Sequence, residues 1–100
     1  MRRREDYDSG VKFTERALVA LRTLNSVDRV KTRKAIESFY QNPDDPLIKR
    51  QVKELTDAPD FYVMRVTQTL RVILSYSGPT LIVVDIVRSD RLKKMWGGLK

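Results

Sequence analysis

A chain of 100 residues that is 41% hydrophobic and 33% charged has the size and composition of one globular domain. It contains no cysteine and no histidine, which excludes disulfides, thiolate or imidazole metal sites, cysteine nucleophiles and proton transfer by histidine. Any catalysis must therefore use arginine, lysine, tyrosine or carboxylate groups.

The formal net charge of +7 at pH 7 is unevenly distributed. Residues 11–41 contain seven basic and three acidic side chains, a net of +4, and residues 88–100 contain five basic and one acidic, also +4. Between them, residues 43–60 contain three basic and five acidic side chains, a net of −2. Two basic surfaces separated by an acidic connection indicate a polyanionic partner. The alternative is a basic charge that serves solubility alone.

The N-terminus lacks the pattern of a signal peptide, because Glu5, Asp6 and Asp8 occupy the place where an apolar stretch is needed. No apolar run approaches the roughly 18 residues that span a bilayer. We therefore expect a cytoplasmic protein without membrane contact. It is predicted to consist of a flexible leader, a single domain and a flexible tail, at residues 1–9, 10–96 and 97–100.

The first half of the chain predicts a short strand and a helical hairpin. Residues 10–13 alternate in polarity like a strand, and Thr14 is a suitable N-cap for a first helix. Asn25 and Ser26 end that helix and cap a second one, which Pro43 stops. With almost no loop between them, the two helices must fold back on each other.

The second half predicts an antiparallel sheet. Residues 44–60 look irregular, and three β-type segments follow at 61–66, 70–77 and 80–87. Their separators are too short for a crossover helix, so the strands must be antiparallel neighbours. The last segment is apolar on both sides except at Asp85, which predicts a central strand. The predicted fold class is α+β: an N-terminal helical hairpin on a small antiparallel sheet of three to four strands, with a short C-terminal helix.

Strand alternation assigns the side chains of this sheet to two faces. One face is expected to meet the helices, in a core that contains Leu21, Ile36, Phe39, Val72, Leu74 and Val84. The opposite, open face carries Arg65 and Arg71, beside Ile73 and Ser75. At its end it is joined by four basic residues, Arg88, Arg91, Lys93 and Lys94. Together these arginines and lysines predict a concave basic patch, the one group of residues suited to chemistry.

Several short segments carry a family pattern. Residues 13–18, Phe-Thr-Glu-Arg-Ala-Leu, open the first helix. Leu55 and residues 58–62, Ala-Pro-Asp-Phe-Tyr, approach the first β-type segment of the sheet, and Arg71-Val72-Ile73 lies in the next. In this order and spacing, followed by an apolar last strand and a basic tail, they resemble the RelE/ParE superfamily of bacterial type II toxin–antitoxin toxins. The resemblance is closest to the RelE branch and covers residues 11–96.

The resemblance implies a toxin that enters the ribosome and cuts messenger RNA. Its partners would be the ribosome, the mRNA and an antitoxin protein from an adjacent gene, and the free toxin would be monomeric. The cut needs no metal and no cofactor, because the ribose 2′-oxygen attacks the adjacent phosphorus and leaves a cyclic phosphate. The candidate catalytic residues are Arg71, Arg65 and Arg91. The candidate RNA-binding residues are Arg88, Lys93, Lys94, Trp96 and Lys53.

Departures from the family pattern keep other functions open. Val63 stands where the RelE branch often has a basic strand residue, and Asp90 falls on the usual arginine of the tail. Trp96, at a position where many members have tyrosine, can stack on a base but cannot transfer a proton. A ParE-like inhibitor of DNA gyrase and a non-catalytic RNA-binding module are therefore the alternatives. A purely structural alternative for Arg65 and Arg71 is pairing with Asp85 across the sheet.

Overall fold

The computed structural model describes residues 10–55 and 58–96, with side chains as far as Leu92. The predicted leader at 1–9 and tail at 97–100 lie outside these residues, so the domain boundaries stay predictions. The elements, in chain order, are β1 (Val11–Phe13), α1 (Glu15–Thr23), α2 (Ser26–Gln41), α3 (Pro46–Lys49), β2 (Val52–Leu55), β3 (Ala58–Arg65), β4 (Leu70–Ser77), β5 (Thr80–Arg88) and α4 (Ser89–Trp96).

Side-chain caps start both helices of the hairpin, as the sequence predicts. The Thr14 hydroxyl accepts a hydrogen bond from the N–H of Ala17 at 3.0 Å, and the Asn25 side chain accepts one from the N–H of Asp28 at 2.8 Å. The Thr14 hydroxyl also donates to the carbonyl of Val84 at 2.7 Å. This one residue therefore both starts α1 and fixes its position against β5.

The sheet has five strands in the order β1-β5-β4-β3-β2. The α+β class is confirmed, but the prediction of three to four antiparallel strands is wrong: β1 pairs in parallel with β5, and only the other pairs are antiparallel. β2 and the single-turn α3 occupy part of the segment predicted to be irregular. β5 is an internal strand, as predicted, because β1 and β4 pair with its two sides, and β4 is the middle strand of the five.

The hairpin packs on one face of the sheet. Five of the six residues predicted for this core are buried in it, namely Leu21, Ile36, Phe39, Val72 and Leu74. The sixth, Val84, is half-buried against the opposite face. A β-bulge is the reason: Ile73 pairs with Asp85 and Leu74 with Val83, so Val84 is an extra residue that reverses the alternation of β5.

A second apolar cluster covers much of the opposite face, which was predicted to be open. It consists of the buried residues Leu55, Val63, Ile73, Val87 and Leu92. Leu92 belongs to α4, so this helix closes over the middle of the face. The end of the face where β3 turns into β4 carries charged residues instead. No helix in the described ranges is long and apolar enough to cross a membrane.

Candidate nucleic-acid interface

Two arginines face each other where β3 and β4 meet their connecting loop. Arg65 and Arg71 are partners in the antiparallel register, and they share the face that bears the second cluster. Directly opposite residues have Cβ atoms about 4.5–5.5 Å apart, and like-charged side chains on such a pair are destabilising. Within the described ranges, neither arginine takes part in an ion pair with a carboxylate. Two cations therefore meet here without a neutralising acid from those residues.

Backbone carbonyls hold the guanidinium of Arg71. Its Nη1 donates to the carbonyl oxygens of Thr67 at 2.8 Å, Leu70 at 3.0 Å and Gln68 at 3.3 Å. Burial, and secondarily the positive charge of Arg65, lowers the pKa of Arg71 below its ordinary value. An arginine nevertheless keeps its proton in proteins. Arg71 is thus a fixed, partly desolvated cation.

The loop that supplies these carbonyls is organised by Thr67. The Thr67 hydroxyl accepts from the N–H of Leu70 at 3.1 Å and from that of Thr69 at 3.2 Å. The N–H of Val66 donates to the Leu70 carbonyl at 3.0 Å, which closes the loop from the strand side. The side chain of Thr67 therefore holds the backbone in the shape in which its carbonyls converge on Arg71.

The strand register places two more candidate residues. Lys53 pairs with Val63, so it lies exposed on the face of Arg65 and Arg71, one strand further out. Arg88 pairs with Leu70, whereas Arg71 pairs with Val87. Alternation therefore directs Arg88 to the opposite side of the sheet from Arg71. The register brings Lys53 to the arginine pair and sets Arg88 apart from it.

Helix α4 begins at the same loop. The N–H of Ser89 donates to the carbonyl of Thr69 at 2.8 Å, which joins the helix start to the loop that holds Arg71. Arg91 is exposed in the first turn, and its N–H donates to the Asp90 carboxylate at 2.8 Å. The side chains of Lys93, Lys94 and Trp96 lie outside the described residues, so their assigned roles stay predictions.

Asp85 does not pair with Arg65 or Arg71, the partners that the purely structural alternative gave it. Its Oδ2 lies 3.6 Å from Nη1 of Arg16, and its Oδ1 accepts from the N–H of Ile86 at 2.8 Å. Pairing of Arg65 or Arg71 with Asp85 is therefore not formed. Sequence reasoning missed Arg16, although its place in the first turn after the Thr14 cap is the available signal. It also missed the contacts of Arg71 with backbone carbonyls, because no pattern of residue types in the sequence indicates them.

The geometry suits a phosphate. In the described ranges no group of three or more carboxylates is placed to hold a metal ion. Two guanidinium groups on one face offer paired N–H donors, the arrangement that matches phosphate oxygens best. Since Arg71 uses Nη1 on the carbonyls, its Nη2 and Nε donors are the ones suited to an anion. The arrangement can bind a phosphodiester and stabilise negative charge that builds on it.

The helical hairpin, the five-stranded mixed sheet and the C-terminal helix together form the fold of RelE/ParE-type toxins. The chain is similar to a chain of the archaeal RelE–RelB complex from Pyrococcus horikoshii OT3, with a TM-score of 0.66 and 21% identity over 82% of this chain and 96% of that one. It is also similar to the isolated Escherichia coli RelE toxin, with a TM-score of 0.64 and 20% identity over 86% and 97% of the two chains.

A third similar structure is the YoeB/ParE toxin from Agrobacterium tumefaciens, with a TM-score of 0.64 and 19% identity over 79% of this chain and 96% of that one. No protein-family model matches the chain, and no curated protein matches it. At these identities the likeness establishes the fold. The predicted resemblance to RelE-type toxins is confirmed at that level.

Proposed function

We propose that this protein is the toxin of a type II toxin–antitoxin system and acts in the cytoplasm as a ribosome-dependent mRNA endonuclease. The observation that carries the proposal is the Arg65–Arg71 pair, two cations held face to face without a carboxylate from the described residues. Such a pair costs stability, and an anion between the two side chains removes that cost. A phosphodiester of RNA is an anion of the right shape for two guanidinium groups.

In the proposed reaction the arginines stabilise charge and do not take up protons. The ribose 2′-hydroxyl gives its proton to solvent water, and its oxygen bonds to the adjacent phosphorus. The bond from phosphorus to the 5′-oxygen of the next nucleotide breaks, and that oxygen takes up a proton from water. The products are a 2′,3′-cyclic phosphate and a 5′-hydroxyl end. Arg71, Arg65 and Arg91 would stabilise the negative charge that builds on the phosphoryl oxygens in the transition state, where fixed donors act most strongly.

The remaining candidates would hold the RNA around this centre. Lys53 extends the arginine face along β2, and Lys93, Lys94 and Trp96 would contact the RNA strand. Arg88, on the opposite side of the sheet, would contact RNA of the ribosome. An antitoxin is the proposed inhibitor, supported by solved complexes of similar toxins with RelB from Methanococcus jannaschii and with YefM from Staphylococcus aureus.

Cleavage of mRNA on purified ribosomes tests the proposal. Wild-type protein is expected to cut programmed message and leave cyclic-phosphate ends that mass spectrometry identifies. Arg71→Ala should lower the rate by about a hundredfold or more, while Arg22→Ala, an exposed arginine of α1, should cleave normally. Folded wild-type protein that leaves ribosome-bound message intact would contradict the enzymatic proposal.

One observation favours a gyrase inhibitor instead. Val63, at the strand position where the RelE branch often has a basic residue, is 5% exposed and belongs to the second cluster. That position therefore supplies no charge to the arginine face. A gyrase supercoiling assay separates the two functions: inhibition there, with no cleavage on ribosomes, would favour the ParE-like alternative.

A further inference from the structure

We propose that Thr67 is a positioning residue for Arg71: its hydroxyl shapes the β3–β4 loop so that three carbonyls fix the guanidinium in the orientation that meets phosphate. The inference rests on the proposed function for its catalytic consequence. Its structural part concerns the orientation of Arg71 alone. The two parts can therefore be tested separately.

The Thr67 hydroxyl determines the shape of the β3–β4 loop. The Thr67 hydroxyl accepts from two successive backbone N–H groups, those of Thr69 and Leu70. These bonds draw the backbone of the loop around the Thr67 side chain. The carbonyls of Thr67, Gln68 and Leu70 then all lie within hydrogen-bond distance of one atom, Nη1 of Arg71. Without the hydroxyl, two N–H groups lose their acceptor and the convergence of the carbonyls is no longer enforced.

The Arg71 guanidinium needs the support of these carbonyls to keep its orientation. Arg65 is the direct cross-strand partner of Arg71, and its charge pushes the Arg71 guanidinium away from the shared face. An arginine side chain is long and rotates freely unless it is held. The three carbonyls oppose the repulsion by binding one side of the guanidinium. Its other donors, Nη2 and Nε, then keep one direction, as bidentate phosphate contact requires.

Nitrogen-detected NMR of the arginine side chains tests the structural part without any substrate. In wild-type protein, slow rotation of the held guanidinium should give Arg71 separate Nη1 and Nη2 resonances, assigned by their disappearance in Arg71→Lys. Thr67→Val keeps the branched shape but removes the acceptor, so the separate resonances should merge. Thr67→Ser and the matched control Thr69→Val, which changes an exposed threonine of the same loop, should keep them separate.

Cleavage kinetics on ribosomes test the catalytic part. Thr67→Val should lower kcat by about tenfold to a hundredfold with little change in KM, because a misplaced group weakens the transition state more than binding. Thr67→Ser should restore most of the rate. Melting curves for every variant show whether it is folded, and Thr67→Ala, which also removes the acceptor, replaces Thr67→Val if the valine is not accommodated.

The outcomes separate the two proposals. Separate Arg71 resonances that persist in folded Thr67→Val and Thr67→Ala overturn the positioning role. Resonances that merge while cleavage stays at the wild-type rate contradict its catalytic consequence. If the wild-type protein does not cleave but the resonances merge only when the hydroxyl is removed, the positioning of Arg71 stands and the proposed nuclease function fails.

Discussion

At position 71 three carbonyls surround Nη1, and the guanidinium still has N–H donors on Nη2 and Nε for a phosphate, whereas a lysine has only the three donors of one nitrogen. Arg71→Lys keeps the charge and loses the paired donors for phosphate. We expect it to recover only part of the cleavage that Arg71→Ala loses, as measured by the rate of cutting on ribosomes. Full activity in Arg71→Lys would show that charge alone is sufficient.

Asp85 provides the control for that experiment. Because its carboxylate pairs with Arg16, Asp85→Ala is expected to lower the melting temperature without changing the orientation of the Arg71 side chain. Melting curves and the Arg71 side-chain resonances measure the two effects separately.

Gly10 is required for a different reason, which is space. A Cβ atom at this position would overlap the ring and hydroxyl of Tyr40. Gly10→Ala should therefore lower the free energy of unfolding by about 1–3 kcal/mol, the usual cost of overpacking. In a Tyr40→Leu background most of that cost should disappear, as urea unfolding of the wild type, the two single variants and the double variant would show.

Gly78 supplies the comparison. It has a φ of 60° and no atom within 4 Å of an added Cβ. Gly78→Ala should cost about 1–2 kcal/mol because of its left-handed backbone conformation, and Tyr40→Leu should leave that cost unchanged. An equal rescue of both alanine variants would contradict the steric explanation for Gly10.

At the scale of elements, α2 is fixed to the sheet through Phe39. The ring is 6% exposed, and its centroid lies 6.4 Å from that of Tyr76 on β4. Phe39→Ala should lower the free energy of unfolding by about 3–5 kcal/mol, through lost burial and the cavity left behind. Val30→Ala on the same helix, where the side chain is 53% exposed, should stay within about 0.5 kcal/mol. Urea unfolding compares the two variants, and equal unfolding midpoints would mean that the face of α2 that packs on the sheet is assigned wrongly.

Sequence alone predicts the elements whose signal is local. The caps at Thr14 and Asn25 and the alternation through Val72 and Leu74 are contained within each segment, and all were located correctly. The strand β2 was missed because it has only four residues with Lys53 and Glu54 in the middle, a pattern that also suits a loop. Its pairing with β3 supplies what its own sequence does not.

Features that depend on pairing between distant segments could not be predicted in this way. The bulge at Val84 changes which side of β5 faces the helices, and no residue of β5 marks it. The shared face of Arg65 and Arg71 follows from alternation and was predicted. The carbonyl support of Arg71 depends on the conformation of the loop backbone, which side-chain patterns do not determine. The site was therefore predictable in its charges and not in its geometry.

At the scale of the whole molecule, the +7 charge predicts salt-sensitive binding. With about five phosphate contacts, affinity for single-stranded RNA should fall by about a hundredfold between roughly 50 and 200 mM salt. Lys53→Ala, on the arginine face, should reduce the slope of log affinity against log salt by about one. Lys31→Ala on α2 removes the same charge away from that face and should leave the slope unchanged. Fluorescence anisotropy measures all three proteins, and affinity that does not respond to salt would contradict an electrostatic interface.

The parallel pairing of β1 with β5 also sets the order of events during synthesis of the chain. The bond from the Thr14 hydroxyl to the Val84 carbonyl joins residues 70 positions apart. At about 5–20 residues per second, the first strand waits for about 4–14 s before its neighbour has been translated. The helical hairpin can form in that time from local contacts, whereas the sheet stays incomplete at its β1 edge. A nascent chain therefore acquires its full sheet only after β5 has left the ribosome that makes it.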